Sequence, residues 1–164
     1  MKSSDLLIII PAYNEEGSIE NVVNNIIQNY SQYDYVIIND GSKDRTSAIC
    51  HANSYNIVDL PVNLGLAGAF QTGLRYAYEQ GYKKAVQFDA DGQHLPEYIS
   101  VLEAKMNEDY EMVIGSRFVT EKRETSLRMM GNILISAAIK LTTGKTINDP
   151  TSGMRMFSEG LIKE

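Results

Sequence analysis

Short apolar runs alternate along the chain with longer segments in which apolar residues recur at helical spacing. A continuous apolar run such as residues 6–10 is typical of a strand buried on both faces of a parallel sheet. Such runs predict strands near residues 6–10, 35–39, 56–60, 85–89 and 111–115. We expect Pro11 to end the first strand, and we expect residues 149–157 to form a loop that runs into a last short strand.

The segments between these runs predict helices. Residues 18–29 carry one apolar face, formed by Ile19, Val22, Val23, Ile26 and Ile27. Ser42 or Asp44 is expected to cap a second helix that ends near His51, and Pro96 to open another over 97–107. Further helices are predicted from Gly65 to about residue 80 and over 126–142. The alternation predicts an α/β fold with a mostly parallel central sheet and helices on both faces.

Small residues recur every fourth position in the predicted helix that follows Gly65, at Gly65, Ala69, Gly73, Ala77 and Gly81. Four-residue spacing keeps them on one side of a helix. Such a stripe permits the close approach of a sheet, a loop or a ligand. Close packing against the rest of the protein is the favoured interpretation.

The composition is that of an ordinary globular protein, with 43% hydrophobic and 22% charged residues in 164. We predict one domain over residues 1–164. The net charge of −6 argues against nucleic acid as a partner. Cys50 stands alone, which excludes an intrachain disulfide and a thiolate metal cluster.

The chain has no signal peptide pattern and no apolar run near the ~20 residues of a membrane span. We therefore predict a cytoplasmic protein, with work at the inner face of a membrane left open. The last residues resemble the first turns of a helix, so we expect the chain to be truncated at its C-terminal end. The sequence does not indicate an oligomeric state.

Polar loops follow four of the predicted strands, at residues 11–16, 39–44, 89–94 and 115–118. Ligands of parallel α/β sheets bind outside the carboxyl ends of the strands. The four loops therefore predict one binding site at that edge of the sheet.

Two aspartates in the third of these loops stand two residues apart. On an extended chain Asp89 and Asp91 point to the same side and present two carboxylates to one point. A divalent cation such as Mg²⁺ removes their repulsion and prefers such oxygen ligands. Gly92 permits a sharp turn after the pair, and an ordinary Asp-Gly turn is the alternative that spacing alone leaves open.

Five segments of the chain, taken together and in order, resemble the inverting family 2 glycosyltransferases of the GT-A fold. They are residues 10–16 (IPAYNEE), 39–42 (NDGS), 63–65 (NLG), 89–93 (DADGQ) and 149–155 (DPTSGMR). Gly92-Gln93 and residues 151–155 are most similar to the dolichyl-phosphate mannose synthase and polyprenyl-phosphate glycosyltransferase branch. The resemblance implies a nucleotide-diphosphate sugar donor of the UDP, GDP or dTDP type, with Mg²⁺ or Mn²⁺ as cofactor. It also implies, for this branch, a lipid-phosphate acceptor at a membrane surface.

The resemblance assigns the nucleotide to residues of three loops. It implies that Pro11, Ala12, Tyr13 and Glu15 line the nucleoside pocket, that Asp40 reads the base, and that Asp89 and Ala90 also border the nucleotide. The carboxylate of Asp40 would accept an N–H of uracil or guanine. As plain sequence, Glu15 is also an acid favoured at a helix start, and Asp40 is also part of an Asp-Gly turn.

The resemblance further implies a metal site formed by Asp89, Asp91 and Gln93. Arg117 would bind a phosphate and take part in catalysis, and Asp149 would act as general base or orient the acceptor. The acceptor phosphate would bind to Arg117 and to one helix face formed by Arg128, Asn132 and Ser136. The alternatives are a solvated arginine at Arg117, a solvated helix face, and a turn at Asp149.

Two other functions remain open at this point. The chain could be a nucleotide-sugar-binding module without turnover, or a transferase that acts on a glycan hydroxyl. A nucleotidyltransferase or a dinucleotide oxidoreductase is disfavoured, because the acidic loop 11–16 has no glycine-rich phosphate-binding pattern.

Overall fold

The computed structural model describes residues 3–90, 96–108, 110–115, 135–136, 140–142, 144 and 153–163. Six strands within these residues form one sheet in the order β3-β2-β1-β4-β6-β5. Their bounds are Leu6–Ala12 (β1), Asp34–Asn39 (β2), Ile57–Asp59 (β3), Lys84–Gln87 (β4), Met112–Ile114 (β5) and Arg155–Ser158 (β6).

The sheet is mostly parallel, as predicted. β1 pairs in parallel with β2 and β4, and β2 pairs in parallel with β3. β6 is antiparallel to both of its neighbours, β4 and β5. The last strand of the described chain is thus inserted between two earlier ones, a position that the sequence pattern did not predict.

The helices among the described residues are Ile19–Asn29 (α1), Thr46–Ala52 (α2), Gly65–Glu79 (α3), Tyr98–Met106 (α4) and Glu159–Lys163 (α5). Residues 135–136 and 140–142, inside the helix predicted over 126–142, are also helical. No helix within the described ranges has the length and apolarity that a membrane crossing requires.

The helices cover both faces of the sheet because side chains of β1 alternate between two cores. Ile8 and Ile10 pack on the face that holds α1 and α4, whereas Leu7 and Ile9 pack on the face that holds α3 and α5. All four side chains are completely buried. This explains the continuous apolar run, since a strand covered on both sides has no solvent face.

The prediction that Pro11 ends the first strand was wrong. β1 continues through Pro11, which pairs in register with Ile38. The carbonyl of Ile9 accepts a hydrogen bond from the N–H of Phe88, so the backbone polar groups of Ile9 point towards β4. The backbone of Pro11, two residues later in the strand, faces the same side. β4 ends at Gln87, so no β4 residue lies beside Pro11 to accept a hydrogen bond from its backbone nitrogen. The missing N–H of proline therefore costs the sheet no hydrogen bond.

The expectation for the start of α2 needs one refinement. Arg45 precedes the helix, but Asp44 Oδ1 accepts the hydrogen bond from the N–H of Thr46 at 2.9 Å. Asp44 therefore satisfies the first N–H of α2. Ser42, the other candidate cap, instead binds the loop after β1 through its Oγ.

The small-residue stripe of α3 packs against the sheet. Ala69, Gly73 and Ala77 are buried. A Cβ atom at Gly73 would lie 2.3 Å from Cγ2 of Ile9 in β1. Close packing, the favoured interpretation, is therefore confirmed for these three residues, whereas a Cβ atom at Gly65 or Gly81 would meet nothing within 4 Å.

Candidate active site

A cleft of about 460 Å³ opens at the carboxyl ends of β1, β2 and β4. The loops after those strands and the first turns of α3 form its walls. Its lining residues are Pro11, Ala12, Tyr13, Glu15, Asp40, Asn63, Gly65, Leu66, Ala69, Asp89 and Ala90. Every residue that the resemblance assigned to the nucleotide borders this one cleft, although the individual roles stay predictions.

A second cavity, of about 420 Å³, lies at the opposite edge of the sheet. There Asn56 Nδ2 donates to the carbonyl of Tyr35 at 2.7 Å and to the hydroxyl of Tyr76 at 3.3 Å. These polar groups already satisfy one another, and the cavity lies at the amino ends of the strands. The cleft at the carboxyl ends is the better candidate site.

Hydrogen bonds join the loop after β1 to the loop after β2. The N–H of Asn14 donates to Ser42 Oγ at 2.9 Å, and Asn14 Oδ1 accepts from the N–H of Lys43 at 2.8 Å. The N–H of Glu15 donates to Thr46 Oγ1 at 2.8 Å. Asn14 has a φ of 58°, which asparagine tolerates better than most residues. The two loops are therefore held together as one wall of the cleft.

Tyr13 and Glu15 present different chemistry to the cleft. The Tyr13 side chain is 43% exposed, so its ring is open to stacking on a planar ligand. The Glu15 carboxylate accepts a hydrogen bond from the Ser18 hydroxyl, and its carbonyl accepts from the N–H groups of Ser18 and Ile19. Glu15 thus accepts hydrogen bonds from the residues at the start of α1 and also lines the cleft.

Asp40 is a buried carboxylate in the wall of the cleft, with only 3% of its surface exposed. Its Oδ1 accepts the N–H of Leu64 at 2.7 Å. Among the described residues, Oδ2 accepts no hydrogen bond. A buried polar atom without a partner costs about 1–3 kcal/mol, so Oδ2 is suited to a donor that a ligand brings.

Gly41 lets the loop after β2 touch the loop before α3. Its φ is 66°, and a Cβ atom there would lie 2.8 Å from the N of Asn63 and the C of Val62. Any other residue would therefore push the two loops apart. This contact holds Leu64 against Asp40.

A network behind the cleft was missed by the sequence analysis. Asp59 Oδ1 accepts from Asn39 Nδ2 at 2.6 Å and from Ser47 Oγ at 2.9 Å, and Asp59 Oδ2 lies 2.7 Å from His51 Nε2. Asn39 Oδ1 in turn accepts the N–H of Ser42 at 3.2 Å. The network therefore positions the loop that carries Asp40.

The same contacts change the acidity of Asp59. Burial alone would raise its pKa, but the hydrogen bonds from Asn39, His51 and Ser47 outweigh burial and hold the pKa below its usual value. Asn39 lies inside the segment 39–42 that carried the resemblance, but nothing in the local pattern marked Asp59. Its role depends on the parallel register that pairs Asp59 with Asn39.

Asp89 stands at the end of β4 and lines the cleft. Phe88, just before it, is buried in the core, and its N–H bonds to the carbonyl of Ile9 at 2.9 Å. The half-buried Asp89 accepts a hydrogen bond from Gln87 Nε2 at 3.2 Å. Its carboxylate oxygens are the kind of ligand that Mg²⁺ and Mn²⁺ prefer.

The other predicted metal ligands, Asp91 and Gln93, lie outside the described residues. Within the described ranges, no group of three or more histidine, cysteine, aspartate or glutamate side chains forms a metal cluster. The predicted metal site thus rests on Asp89 together with residues that the structure does not describe.

Most of the predicted acceptor and catalytic residues also lie outside the described ranges, namely Arg117, Arg128, Asn132 and Asp149. Ser136 is described and half-buried, and it does not line the cleft formed by the described residues.

Arg155 received no separate role in the sequence analysis. Antiparallel β6 pairs Arg155 with Gln87, two residues before Asp89. The fold therefore brings a cation from the segment 149–155 to the same edge of the sheet as the cleft.

The Glycosyl transferase family 2 profile matches residues 7–164, and the chain belongs to this family. It is a glycosyltransferase with the GT-A fold, as the sequence resemblance implied.

Two of the relatives illustrate the substrates that are named within the family. The chain is 37% identical to a UDP-N-acetylglucosamine–dolichyl-phosphate N-acetylglucosaminyltransferase of Methanococcus voltae, over 96% of this chain and 71% of that protein. It is 26% identical to a polyprenol monophosphomannose synthase of Mycolicibacterium smegmatis, over 96% of this chain and 63% of that protein.

Solved structures share the fold. Glucosyl-3-phosphoglycerate synthase from Mycobacterium tuberculosis, in complex with Mn²⁺, uridine-diphosphate-glucose and phosphoglyceric acid, superimposes with a TM-score of 0.72 at 23% identity. The match covers 95% of this chain and 57% of the solved one, so the chain spans little more than half of that structure.

Proposed function

We propose that this chain is a catalytic domain that transfers a sugar from a nucleoside diphosphate sugar to a polyprenyl phosphate, with inversion at the anomeric carbon. The observation that carries the proposal is the single cleft that gathers Tyr13, Asp40 and Asp89 from three separate loops. The named substrates of the two relatives support both the donor class and the lipid-phosphate acceptor.

The described residues supply the donor site in this proposal. Tyr13 stacks on the base, the buried carboxylate of Asp40 accepts a base N–H, and Glu15 accepts from the ribose hydroxyls. Pro11, Ala12 and Ala90 give the cleft a close-fitting wall. The hydrogen bonds from the N–H groups of Asn14 and Glu15 to the hydroxyl oxygens of Ser42 and Thr46 hold these groups in place before the donor arrives.

The negative charge of the carboxylates at the site favours the binding of a divalent cation. A diphosphate must enter beside Asp89 in a chain of net charge −6, and Asp91 follows two residues later. Carboxylates of Asp89 and Asp91, with the amide oxygen of Gln93, would supply the oxygen ligands that Mg²⁺ or Mn²⁺ prefers. When bound there, the cation would neutralise charge on the leaving diphosphate.

The chemical step is one displacement. An acceptor oxygen forms a bond to the anomeric carbon as the bond to the diphosphate oxygen breaks, and the nucleoside diphosphate leaves with the electron pair. A phosphate acceptor is already anionic, so no proton has to be removed. Arg117 and the face of Arg128, Asn132 and Ser136 hold the acceptor phosphate in the proposal.

A glycan hydroxyl acceptor would need a base. In that case Asp149 takes the hydroxyl proton as the new bond forms. With a phosphate acceptor Asp149 only orients it, so the effect of Asp149→Asn depends on the class of acceptor.

The test is transfer of radiolabelled sugar from UDP-, GDP- and dTDP-sugars to a short-chain polyprenyl phosphate with Mn²⁺. We expect a glycolipid product with one donor, and loss of transfer in Arg128→Ala with donor binding nearly intact. Lys105→Ala, which removes an exposed cation from α4, is the control and should transfer normally.

Two results would contradict the proposal. Donor binding without product or free nucleoside diphosphate would indicate a binding module without turnover. Normal transfer in Arg128→Ala together with loss of transfer in Asp149→Asn would indicate a hydroxyl acceptor bound elsewhere.

A further inference from the structure

We propose that Gln87 is a positioning residue for the metal site, because its side-chain amide orients the carboxylate of Asp89 from inside the sheet. This inference rests on the proposed function, in which Asp89 is a ligand of the divalent cation. Gln87 does not line the cleft, so it would act on the cation only through Asp89.

Gln87 is a polar side chain in a buried position. It is only 5% exposed, and it pairs in register with the completely buried Ile9 of β1 on one side and with Arg155 of β6 on the other. Ala85, two residues earlier and on the same face of β4, is also completely buried. An apolar residue would pack against Ile9 and Ala85 at no polar cost, whereas a buried amide costs free energy unless it is hydrogen-bonded.

Within the described part of the chain, the side chain of Gln87 has one hydrogen-bond partner, which is Asp89. Gln87 Nε2 donates to Asp89 Oδ1 at 3.2 Å. The backbone between them is held in the sheet, because the N–H of Phe88 bonds to the carbonyl of Ile9 at 2.9 Å. Asp89 is half-buried and lines the cleft. Gln87 therefore restricts the carboxylate, which is the part of Asp89 that the backbone leaves free to rotate.

A neutral amide suits this role better than a cationic side chain. Lysine or arginine at position 87 would neutralise Asp89 and so compete with a divalent cation for the carboxylate. The N–H of Gln87 leaves the charge in place, and each carboxylate oxygen can accept more than one partner, so both oxygens stay available to the cation. Removing a group that orients a metal ligand in this way weakens metal binding by about 10–100-fold.

Gln87→Met tests the inference, because methionine has a similar length and carries no N–H donor. Isothermal titration calorimetry gives the Kd of UDP, GDP and dTDP in EDTA and over a series of Mn²⁺ concentrations. For the nucleotide that the wild type binds most tightly, the Mn²⁺ concentration at half-maximal tightening should rise about tenfold or more in Gln87→Met. The Kd in EDTA should stay within about twofold of the wild-type value, because the substitution acts through the cation ligand.

Gln80→Met is the matched control, since it makes the same change at the exposed residue that follows α3. It should keep the wild-type Kd values and the wild-type dependence on Mn²⁺. Urea denaturation should show Gln87→Met to be at least as stable as the wild type, because an apolar group replaces the buried amide and the half-buried Asp89 keeps access to water. Gln87→Val removes the amide with a side chain that favours strands, and it replaces Gln87→Met if that variant does not fold.

Three results would overturn the inference. A wild-type dependence on Mn²⁺ in a folded Gln87 variant would do so and would leave the proposed function standing. Equal weakening of nucleotide binding in EDTA and in Mn²⁺ would show that Gln87 supports the whole cleft and not the cation ligand. Failure of all three nucleotides to bind the wild type, or binding that does not depend on Mn²⁺, would contradict the proposed donor site and this inference with it.

Discussion

Gly41 is the residue at which the loops after β2 and before α3 meet. An alanine at this position would have to adopt a left-handed φ, which is unfavourable for a residue with a side chain. Its Cβ atom would also lie only 2.8 Å from backbone atoms of Val62 and Asn63. We expect Gly41→Ala to lower the free energy of unfolding by about 2–4 kcal/mol, from about 1–2 for the φ and the rest for the overlap. Urea denaturation measures this loss.

Gly81→Ala separates the two causes. Gly81 has a φ of 72°, but a Cβ atom there meets nothing within 4 Å. We expect a loss of only about 1–2 kcal/mol. Equal losses for the two variants would show that the contact between the loops contributes nothing.

Asp59 makes stability depend on pH. Its pKa in the folded protein lies below the unfolded value of about 4. The stabilisation is therefore complete above about pH 4 and is lost as the pH falls through the folded pKa. At pH 7 we expect Asp59→Asn to be less stable than the wild type, and this difference should shrink below pH 4 in urea titrations.

His51 Nε2 lies 2.7 Å from Asp59 Oδ2, so the same comparison in a His51→Gln background removes the imidazole from the network. Asp5→Asn, at an exposed position, controls for the loss of one charge. A difference between wild type and Asp59→Asn that stays constant from pH 7 to pH 2 would refute the role of the Asp59 hydrogen bonds.

At the scale of elements, the contact between α3 and β1 depends on Gly73. An alanine Cβ would lie 2.3 Å from Cγ2 of Ile9, a completely buried β-branched side chain. We expect Gly73→Ala to destabilise the fold by about 1–3 kcal/mol, although alanine favours a helix by about 1 kcal/mol over glycine. Thermal or urea unfolding gives the value.

A double-mutant cycle with Ile9→Ala tests the cause. Ile9→Ala removes the overlapping methyl, so adding Gly73→Ala to it should be neutral or stabilising. Gly160→Ala in α5 is the control, because its nearest neighbouring atom lies at an ordinary 3.5 Å. If Gly73→Ala costs the same in both backgrounds, overlap with Ile9 is not the cause.

At the scale of the whole molecule, the proposed function makes charge the factor that decides how a donor would enter the cleft. The chain carries a net charge of −6, and Asp40 and Asp89 both line the cleft. Repulsion in a partly buried cleft is several times stronger than in water, so we expect a diphosphate to bind there together with a cation. We expect calorimetry to show UDP binding at least tenfold weaker in EDTA than with Mn²⁺.

Asp91→Asn should weaken this binding and reduce its dependence on Mn²⁺ without unfolding the chain. Glu79→Gln removes a charge from the exposed pair with Arg75 and should behave like the wild type. Equally tight binding of UDP by the wild type in EDTA would mean that residues 89–92 form only a turn.

The sequence by itself determined the strands, most helices and the polar loops at the strand ends. Buried parallel strands are continuous apolar runs and amphipathic helices have a 3.6-residue period, so both are local patterns. Carboxyl ends of parallel strands share one edge, so Tyr13, Asp40 and Asp89, which follow three of these strands, had to converge. The prediction that Pro11 ends β1 was wrong because a strand tolerates proline at a position where the neighbouring strand has already ended.

Only the tertiary structure decided the order of the strands and the contacts that position Asp40. β6 pairs between β4 and β5 because distant segments match in register, which no local period encodes. The hydrogen bonds from Asn39 to Asp59 and from Leu64 to Asp40 join residues about twenty positions apart or more. Residue types and periods are local properties, whereas the orientation of a carboxylate depends on which backbone N–H the fold brings beside it.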